Sequence, residues 1–138
     1  MIDSHIHMSY RYFDQTFPYI AMGGEQYVIL DGNRDSLIAE MKKQGITRCI
    51  EPAIDVDSNE LLLRLSRESN GFILPAVGNH PTRCIRSALK DFKRVKEYSK
   101  SEGVIAIGET GLDYHYERQE QHQLKQKIWF RWQIRLSD

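Results

Sequence analysis

The sequence predicts an α/β fold in which four strand–helix units follow one another and the strands run parallel. Apolar runs of strand length alternate with helical patterns along all 138 residues. The strand segments are apolar on both faces, which is typical of parallel strands that helices cover on one side or that a barrel encloses. The sequence contains no internal repeat, low-complexity segment or shift in composition. We therefore expect a single domain over residues 1–138.

The first strand–helix unit contains a long connection. Residues 1–8 are predicted to form a strand, and the first helix is predicted from Arg34 to Gln44, where Gly45 ends it. Between them, residues 8–31 are rich in aromatic side chains. We expect this connection to form an ordered flap beside the first strand, because so many aromatic groups are seldom left in water.

The other three units are identified from apolar strand runs, helix-capping residues and glycine stops. Their predicted bounds are strand 46–54 with helix 57–69, strand 72–77 with helix 85–101, and strand 104–109 with helix 117–136. Asp57 or Ser58 is expected to cap the first of these helices. The alternation of strands and helices requires the helices to cross over between parallel strands.

The composition excludes several classes of partner. Lysine and arginine together number 19, as do aspartate and glutamate, so no global basic field attracts nucleic acid or an anionic membrane. A phosphate substrate would have to be held by local groups or by a metal. Cys49 and Cys84 lack metal-binding spacing and are expected to be reduced thiols. With no membrane-length apolar run and no signal-peptide core, we expect a cytoplasmic protein without a membrane partner.

Histidines and carboxylates collect where the predicted strands end. In parallel α/β folds, functional groups gather at the carboxyl ends of the strands, where the following loops converge. The candidates at this rim are His5, His7, Glu51, Asp55, His80, Glu109 and Asp113. Imidazole favours zinc, and carboxylate favours magnesium or manganese. The predicted rim therefore suits a divalent metal ion.

The N-terminal histidine pair has two interpretations. Side chains on a strand alternate between faces, so Asp3, His5 and His7 would share one face, and two imidazoles on one face can close on one metal ion. An isolated His-x-His is equally consistent with two structural histidines. By the same strand parity, Asp3 would lie one layer below and orient a metal ligand.

Glu109 is the stronger signal. It shares a predicted strand face with Ile105 and Ile107, where a carboxylate is costly unless it is paired or bound to a metal. The alternative is a solvated residue at the strand end. Structural and functional roles both stay open for His80 and Glu51, whereas His115 and His122 are expected to be ordinary surface or packing residues, as are the basic strips on the helices.

Three motifs taken together resemble the TatD family of metal-dependent hydrolases. They are Asp3-Ser-His5-Ile-His7, Gly78-Asn-His80-Pro81 and Gly108-Glu109-Thr-Gly-Leu-Asp113-Tyr114. In the last helix, Gln126, Phe130 and Gln133 match the spaced glutamines and phenylalanine of that family. The resemblance runs over essentially the whole chain, and the glutamate motif is far more specific than the His-x-His.

The resemblance implies a (β/α)8 TIM-type barrel of the amidohydrolase type, of which this chain would be the first half. It implies a centre of one or two divalent metal ions (zinc, magnesium or manganese) and hydrolysis of phosphodiester bonds, typically in DNA. By position, His5 and His7 would bind the first metal and Glu109 would bridge the two ions. His80 and Asp113 would act with Glu109 as catalytic residues, in or just behind the site.

The chain also departs from the family pattern. A complete barrel needs about 200–250 residues, and the resemblance implies three further ligands, two histidines and an aspartate, on later strands. The chain would thus be a fragment of an enzyme, a half-barrel that self-associates through its open edges, or an inactive module. In each case the isolated monomer should hold metal weakly through His5, His7 and Glu109, and hydrolyse poorly. An alternative substrate class is a small amide, lactone or phosphoester.

Overall fold

The fold is that of a computed structural model, which describes residues 1–24 and 26–138. The strands are β1 (Ile2–Asp3), β2 (Phe17–Gly23), β3 (Gln26–Gly32), β4 (Arg48–Pro52), β5 (Ile73–Val77) and β6 (Ala106–Ile107). The helices are α1 (Arg34–Lys43), α2 (Ser58–Glu68), α3 (Pro81–Cys84), α4 (Leu89–Tyr98) and α5 (Glu120–Ser137), with a 3₁₀ turn at Arg11–Asp14.

Four parallel strands form the main sheet, in the order β1-β4-β5-β6. Ile2 pairs with Arg48, Cys49 with Ile73, and Ala76 with Ala106. Each strand lies beside the strand of the next unit, because a helical crossover returns the chain in the same direction. The predicted α/β class with parallel strands, the first half of a barrel, is confirmed.

The two end strands are shorter than predicted. β1 covers two residues instead of residues 1–8, and β6 covers two instead of 104–109. Backbone hydrogen bonds nevertheless continue beyond them, since Ile6 N–H donates to Ile50 O (3.0 Å) and Gly108 N–H to Val77 O (2.9 Å). His5 and His7 therefore follow the strand instead of lying within it, so strand parity does not decide where their side chains point.

Within the connection 8–31, the described residues form an antiparallel hairpin of β2 and β3, which was not predicted. One face buries Phe17 and Ala21, whereas Ile20 and Ile29, paired directly across the opposite face, are 69% and 75% exposed. Aromatic and β-branched residues favour such strands. Gly24 supports the turn with its φ of +76°.

The predicted helix 85–101 is wrong in its first turns. The chain forms α3 directly after His80, with Pro81 as its first residue, and begins α4 only at Leu89. Asp91 accepts a hydrogen bond from Ala88 N–H (2.7 Å), which defines this later start. Leu89, expected on the buried stripe, is exposed.

Helices cover the sheet through two apolar clusters. The first contains Met8, Ile38, Cys49, Ala53, Leu62, Leu65, Phe72 and Ile73 and joins the sheet to α1 and α2. The second contains Val56, Cys84, Val95 and Trp129 and joins α3, α4 and α5. Within the described ranges, no helix combines the length and apolarity needed to cross a membrane.

Candidate metal centre

Three predicted ligands converge at the carboxyl end of the sheet. His5 Nε2 lies 3.0 Å from His7 Nε2, and Glu109 Oε2 lies 4.0 Å from the first and 3.8 Å from the second. His5 and Glu109 are 104 positions apart in the chain, and the parallel pairing of the strands brings them together. His5 is half-exposed, while His7 and Glu109 are partly buried.

The three atoms fit a divalent ion. Zinc bonds of about 2.0–2.2 Å to imidazole and carboxylate place two ligand atoms of a tetrahedral site about 3.4 Å apart. The three separations of 3.0, 3.8 and 4.0 Å bracket that value. His5, His7 and Glu109 would hold the ion, and three protein ligands leave a coordination position for water.

His7 is prepared to act as a ligand. Burial lowers the pKa of His7 below its ordinary value of 6.5; the neighbouring His5 and His80 lower it further, and Glu109 opposes them. The ring is therefore neutral at pH 7 and has a lone pair to offer. Its Nδ1 atom is buried and, among the described residues, has no hydrogen-bond partner, so the polar contacts of the ring are made through Nε2.

His80 approaches the same carboxylate in a different chemical form. Its Nδ1 accepts a hydrogen bond from Thr82 N–H (3.2 Å), and a backbone N–H can only donate. The neutral ring therefore carries its proton on Nε2, which lies 3.6 Å from Glu109 Oε1. His80 thus presents an N–H to the centre, where His7 presents a lone pair. Its predicted catalytic role stays a prediction.

Backbone hydrogen bonds place Glu109 and His80 side by side. Glu109 N–H donates to Ala53 O (3.0 Å), and His80 N–H donates to Ile54 O (2.9 Å). These two carbonyls follow directly after β4, so the loops after β5 and β6 rest on one short segment. These two bonds anchor the backbone of Glu109 and His80 to neighbouring residues of one segment.

Asp113 lies outside the group of three converging ligands found in the described residues. Its Oδ1 accepts hydrogen bonds from the N–H groups of His115 and Tyr116, both at 3.0 Å. The buried Gln126 holds its backbone, accepting from Asp113 N–H (2.8 Å) and donating to Asp113 O (2.9 Å). The carboxylate thus shapes the loop after β6, and its predicted catalytic role stays a prediction.

Glu51 and Asp3 hold backbone near the centre. Glu51 is fully buried and accepts a hydrogen bond from Ser9 N–H, two residues after His7. Burial raises the pKa of Glu51, and hydrogen bonding by Ser9 offsets part of the rise. Asp3 accepts from His5 N–H (3.2 Å), so it contacts the backbone of a ligand and not its ring. Both residues support the segment that carries the histidines.

Asp55 caps helix α2, in place of the expected Asp57 or Ser58. Its Oδ1 accepts a hydrogen bond from Ser58 N–H at 2.8 Å. Asp57 pairs instead with Arg94 at 2.7 Å. Asp55 and Ser58 have the three-residue spacing of a capping box, and Ser58 Oγ in turn accepts a hydrogen bond from Asp55 N–H at 3.0 Å.

The other residue types that bind metals are placed elsewhere, as expected. His122 pairs with Glu117 at 2.9 Å, and His115 is exposed in the loop after β6. Cys49 and Cys84 are buried thiols, and burial raises the pKa of each to about 12. Such thiols are inert at neutral pH.

Three further polar residues, to which the sequence analysis gave no role in the site, bond backbone near the centre. Arg34 donates to Met8 O (2.8 Å), just after His7. Asn59 accepts from Gly78 N–H and donates to Gly78 O, both at 2.9 Å. Gln133, noted only as part of a motif, bonds residues beside His80 and Glu109. A polar residue on the buried face of an amphipathic helix was the available signal for Asn59 and Gln133.

Comparisons with known proteins agree with this geometry. Over residues 2–138, the chain matches the family described as TatD related DNase. It is 33% identical over 116 residues to the uncharacterized metal-dependent hydrolase YabD of Bacillus subtilis, covering 84% of this chain and 43% of that protein. It is 27% identical over 124 residues to the Homo sapiens protein named deoxyribonuclease TATDN3. That match covers 83% of this chain and 38% of the human protein.

Two solved structures share the fold. The TatD homologue YJJV of Escherichia coli superposes with a TM-score of 0.75 at 19% identity, covering 98% of this chain and 45% of that chain. The TatD family hydrolase of Entamoeba histolytica superposes with a TM-score of 0.68, also at 19% identity, covering 94% and 43%. At this identity the likeness concerns the fold.

A parallel α/β sheet with two imidazoles and a carboxylate at its carboxyl edge is typical of the metal-dependent hydrolases. Within that class, the chain belongs to the TatD family, which its match over residues 2–138 shows. The chain spans less than half the length of the relatives and structures compared above.

Proposed function

We propose that this chain contributes to metal-dependent hydrolysis of phosphodiester bonds in DNA. The observation that carries the proposal is the convergence of His5, His7 and Glu109 at the carboxyl end of the sheet. Two similar proteins are named for such activity, the human deoxyribonuclease and the 3'-5' ssDNA/RNA exonuclease TatD of Musicola paradisiaca, which is 24% identical over 85 residues.

The residues of the site would have different roles in this reaction. A bound divalent ion would supply an activated water and would stabilise charge on a phosphate oxygen. His5 and His7 would hold it with neutral imidazoles, and Glu109 would supply the negative charge that balances it. His80 would direct its Nε2–H toward Glu109 and toward a neighbouring phosphate oxygen.

The test is a nuclease assay on single- and double-stranded DNA, with magnesium, manganese or zinc. We expect slow cleavage that a chelator abolishes and that the variant Glu109→Gln loses, because the variant lacks the ligand charge that balances the ion. His122→Gln is the matched control, since His122 pairs with Glu117 outside the cluster. Activity that survives the chelator would contradict the proposal. Cleavage of a nitrophenyl phosphodiester without cleavage of DNA would indicate a small phosphoester substrate instead.

We also propose that the open edges of the sheet mediate self-association. β1 and β6 are its end strands, and their outer edges have no partner strand in the part of the chain that the structure describes. Such edges favour pairing with another chain. Light scattering should then show a mass above the 16.2 kDa monomer that rises with concentration. The half-exposed Ile105 precedes β6, and Ile105→Lys should lower that mass. A constant monomer mass would contradict this proposal.

A further inference from the structure

Helix α5 carries two buried glutamines on its inner face. Gln126, Trp129 and Gln133 are its buried residues, and their spacings of three and four place them on one stripe of the helix. Trp129 packs in the apolar cluster, as such a stripe predicts. A buried amide is costly unless its donors and acceptor are satisfied, so the contacts of the two glutamines indicate what they do.

Gln133 joins the loop that carries His80 to the loop that carries Glu109. Its Oε1 accepts from Asn79 N–H at 2.8 Å, and its Nε2 donates to Asn79 O at 3.3 Å and to Thr110 Oγ1 at 2.8 Å. Asn79 directly precedes His80, and Thr110 directly follows Glu109. One planar amide therefore bonds to the neighbours of both residues at once.

The same two loops approach each other too closely for a side chain at position 78. A Cβ placed on Gly78 would lie 2.6 Å from Gly108 O and 2.8 Å from Gln133 Oε1. Asn59 holds the other side of Gly78 through its N–H and its C=O. Two buried neutral amides thus hold the loops: Asn59 on α2 and Gln133 on α5.

We propose that Gln133 is a positioning residue of the metal centre, which sets the distance between the Glu109 carboxylate and the His80 ring. This inference rests on the proposed function. The hydrogen bonds of Gln133 go to Asn79 and Thr110, so it acts on the two side chains through these neighbours. Its amide carries no charge, so this placement holds at any pH at which the protein is folded.

Gln126 provides a matched control on the same helix. It is equally buried and also both accepts from and donates to one backbone segment, at Asp113. Met has nearly the length and volume of Gln without its polar atoms, so Gln133→Met and Gln126→Met each remove one buried amide. Thr110→Val removes only the hydroxyl that Gln133 reaches, and it keeps the shape of the side chain.

The experiment measures zinc affinity by calorimetry and amide hydrogen exchange by NMR in the wild type and these variants. We expect Gln133→Met to weaken zinc binding about tenfold, in the range for residues that orient metal ligands. Thr110→Val should weaken it less, and the double variant no more than Gln133→Met alone, because both changes remove the same contact. The Asn79 amide should exchange faster in Gln133→Met, and Gln126→Met should leave zinc affinity unchanged.

Other results separate the two levels of inference. Unchanged zinc affinity in Gln133→Met, together with faster exchange at Asn79, would overturn the positioning role and leave the metal centre intact. Equal losses in Gln133→Met and Gln126→Met would overturn it as well, because the effect would then reflect general loss of packing. Failure of the wild type to bind zinc, or wild-type affinity in His5→Ala, would overturn the proposed function itself.

Discussion

The two sides of the metal centre are held in place by different chemistry. The histidine arm, residues 5–9, is held by charged groups: Arg34 donates to Met8 O, and the Glu51 carboxylate accepts from Ser9 N–H. The glutamate side, residues 78–80 and 108–110, is held by the neutral amides of Asn59 and Gln133. Both sets of bonds contact backbone beside the ligands.

This difference indicates which side of the centre responds to a change in pH. A neutral amide keeps its donors and acceptor at any pH, whereas a buried carboxylate is sensitive to its protonation. Three buried side-chain atoms have no hydrogen-bond partner in the described ranges: Glu51 Oε2 and His7 Nδ1 beside the histidine arm, and Asn79 Oδ1 on the glutamate side. The first two belong to titratable groups and the amide of Asn79 does not, so we expect pH to act on the centre through the histidine arm.

The largest expected effect comes from crowding the glutamate side. Gly78→Ala places a Cβ 2.6 Å and 2.7 Å from the O and C atoms of Gly108, which are backbone atoms and cannot rotate away. We expect the free energy of unfolding to fall by about 3 kcal/mol, at the upper end for overpacking. Urea denaturation measures it.

Gly108→Ala is the matched control for this crowding. Its Cβ would meet only ordinary contacts, at 3.7 Å to the Ala76 side chain and 3.9 Å to the Pro52 side chain. We expect a change within about 1 kcal/mol, as for substitutions that neither crowd nor empty the core. Equal losses in the two variants would mean that the tight approach is not what stabilises this side.

The next effect comes from removing the cation that holds the histidine arm. Arg34 bonds Met8 O (2.8 Å), Asp14 Oδ1 (2.7 Å) and Tyr10 O (3.3 Å), and its side chain is 13% exposed. Arg34→Ala leaves these acceptors without their donor and should cost about 2–3 kcal/mol of unfolding free energy. Thermal or urea unfolding gives the value.

Arg34→Lys separates charge from geometry. Lysine keeps the positive charge but lacks the planar fork that reaches three acceptors at once. We expect it to recover only part of the loss. Full recovery would show that the arm needs only a nearby positive charge, and the contrast with the amide-held side would then rest on charge alone.

The smallest effect is a change in pH dependence at Glu51. Burial raises the pKa of this carboxyl above its ordinary 4.5, so the folded chain binds the proton more tightly than the unfolded chain. The contribution to stability is therefore complete below pH 4.5 and is lost as the pH rises through the folded pKa. Glu51→Gln keeps an oxygen for Ser9 N–H and cannot ionise.

Unfolding measured from pH 4.5 upward should show this slope in the wild type and a flatter curve in Glu51→Gln. At the alkaline end, the variant should be at least as stable as the wild type, because it buries no charge. Gln133→Glu is the informative counterpart, since it should introduce a comparable pH dependence on the glutamate side. Identical curves for the wild type and Glu51→Gln would show that Glu51 does not make the arm pH-sensitive.

The sequence predicted the class of fold and the three side chains that converge at the carboxyl end of the sheet. The helices at Arg34 and Ser58 and the strand at Ile73 follow from periodicity and capping. The meeting of His5, His7 and Glu109 at one edge of the sheet follows from the topology of parallel strands. The hairpin β2–β3 was not predicted, because its exposed Ile20 and Ile29 do not alternate with polar residues as half-buried strands normally do.

Roles that depend on partners distant in sequence were predicted less well. Glu51 has the same residue type as Glu109 and also ends a strand, yet it is enclosed and bonds Ser9. Asp113 lies in the most specific motif, yet its carboxylate bonds its own loop. Glu51, Glu109 and Asp113 are all carboxylates at or after the end of a strand, so the sequence treats them alike. Only the direction of each side chain distinguishes their roles.

The sequence by itself determined which groups are available: two histidines at the N-terminus, a glutamate after an apolar strand, and glutamines seven residues apart on a helix. These depend on local spacing, which the backbone period translates into faces. The tertiary structure alone decided which loops the two glutamines join. Gln133 acts on the loops of His80 and Glu109 because α5 packs against both, over separations of 54 and 23 residues that no local pattern encodes.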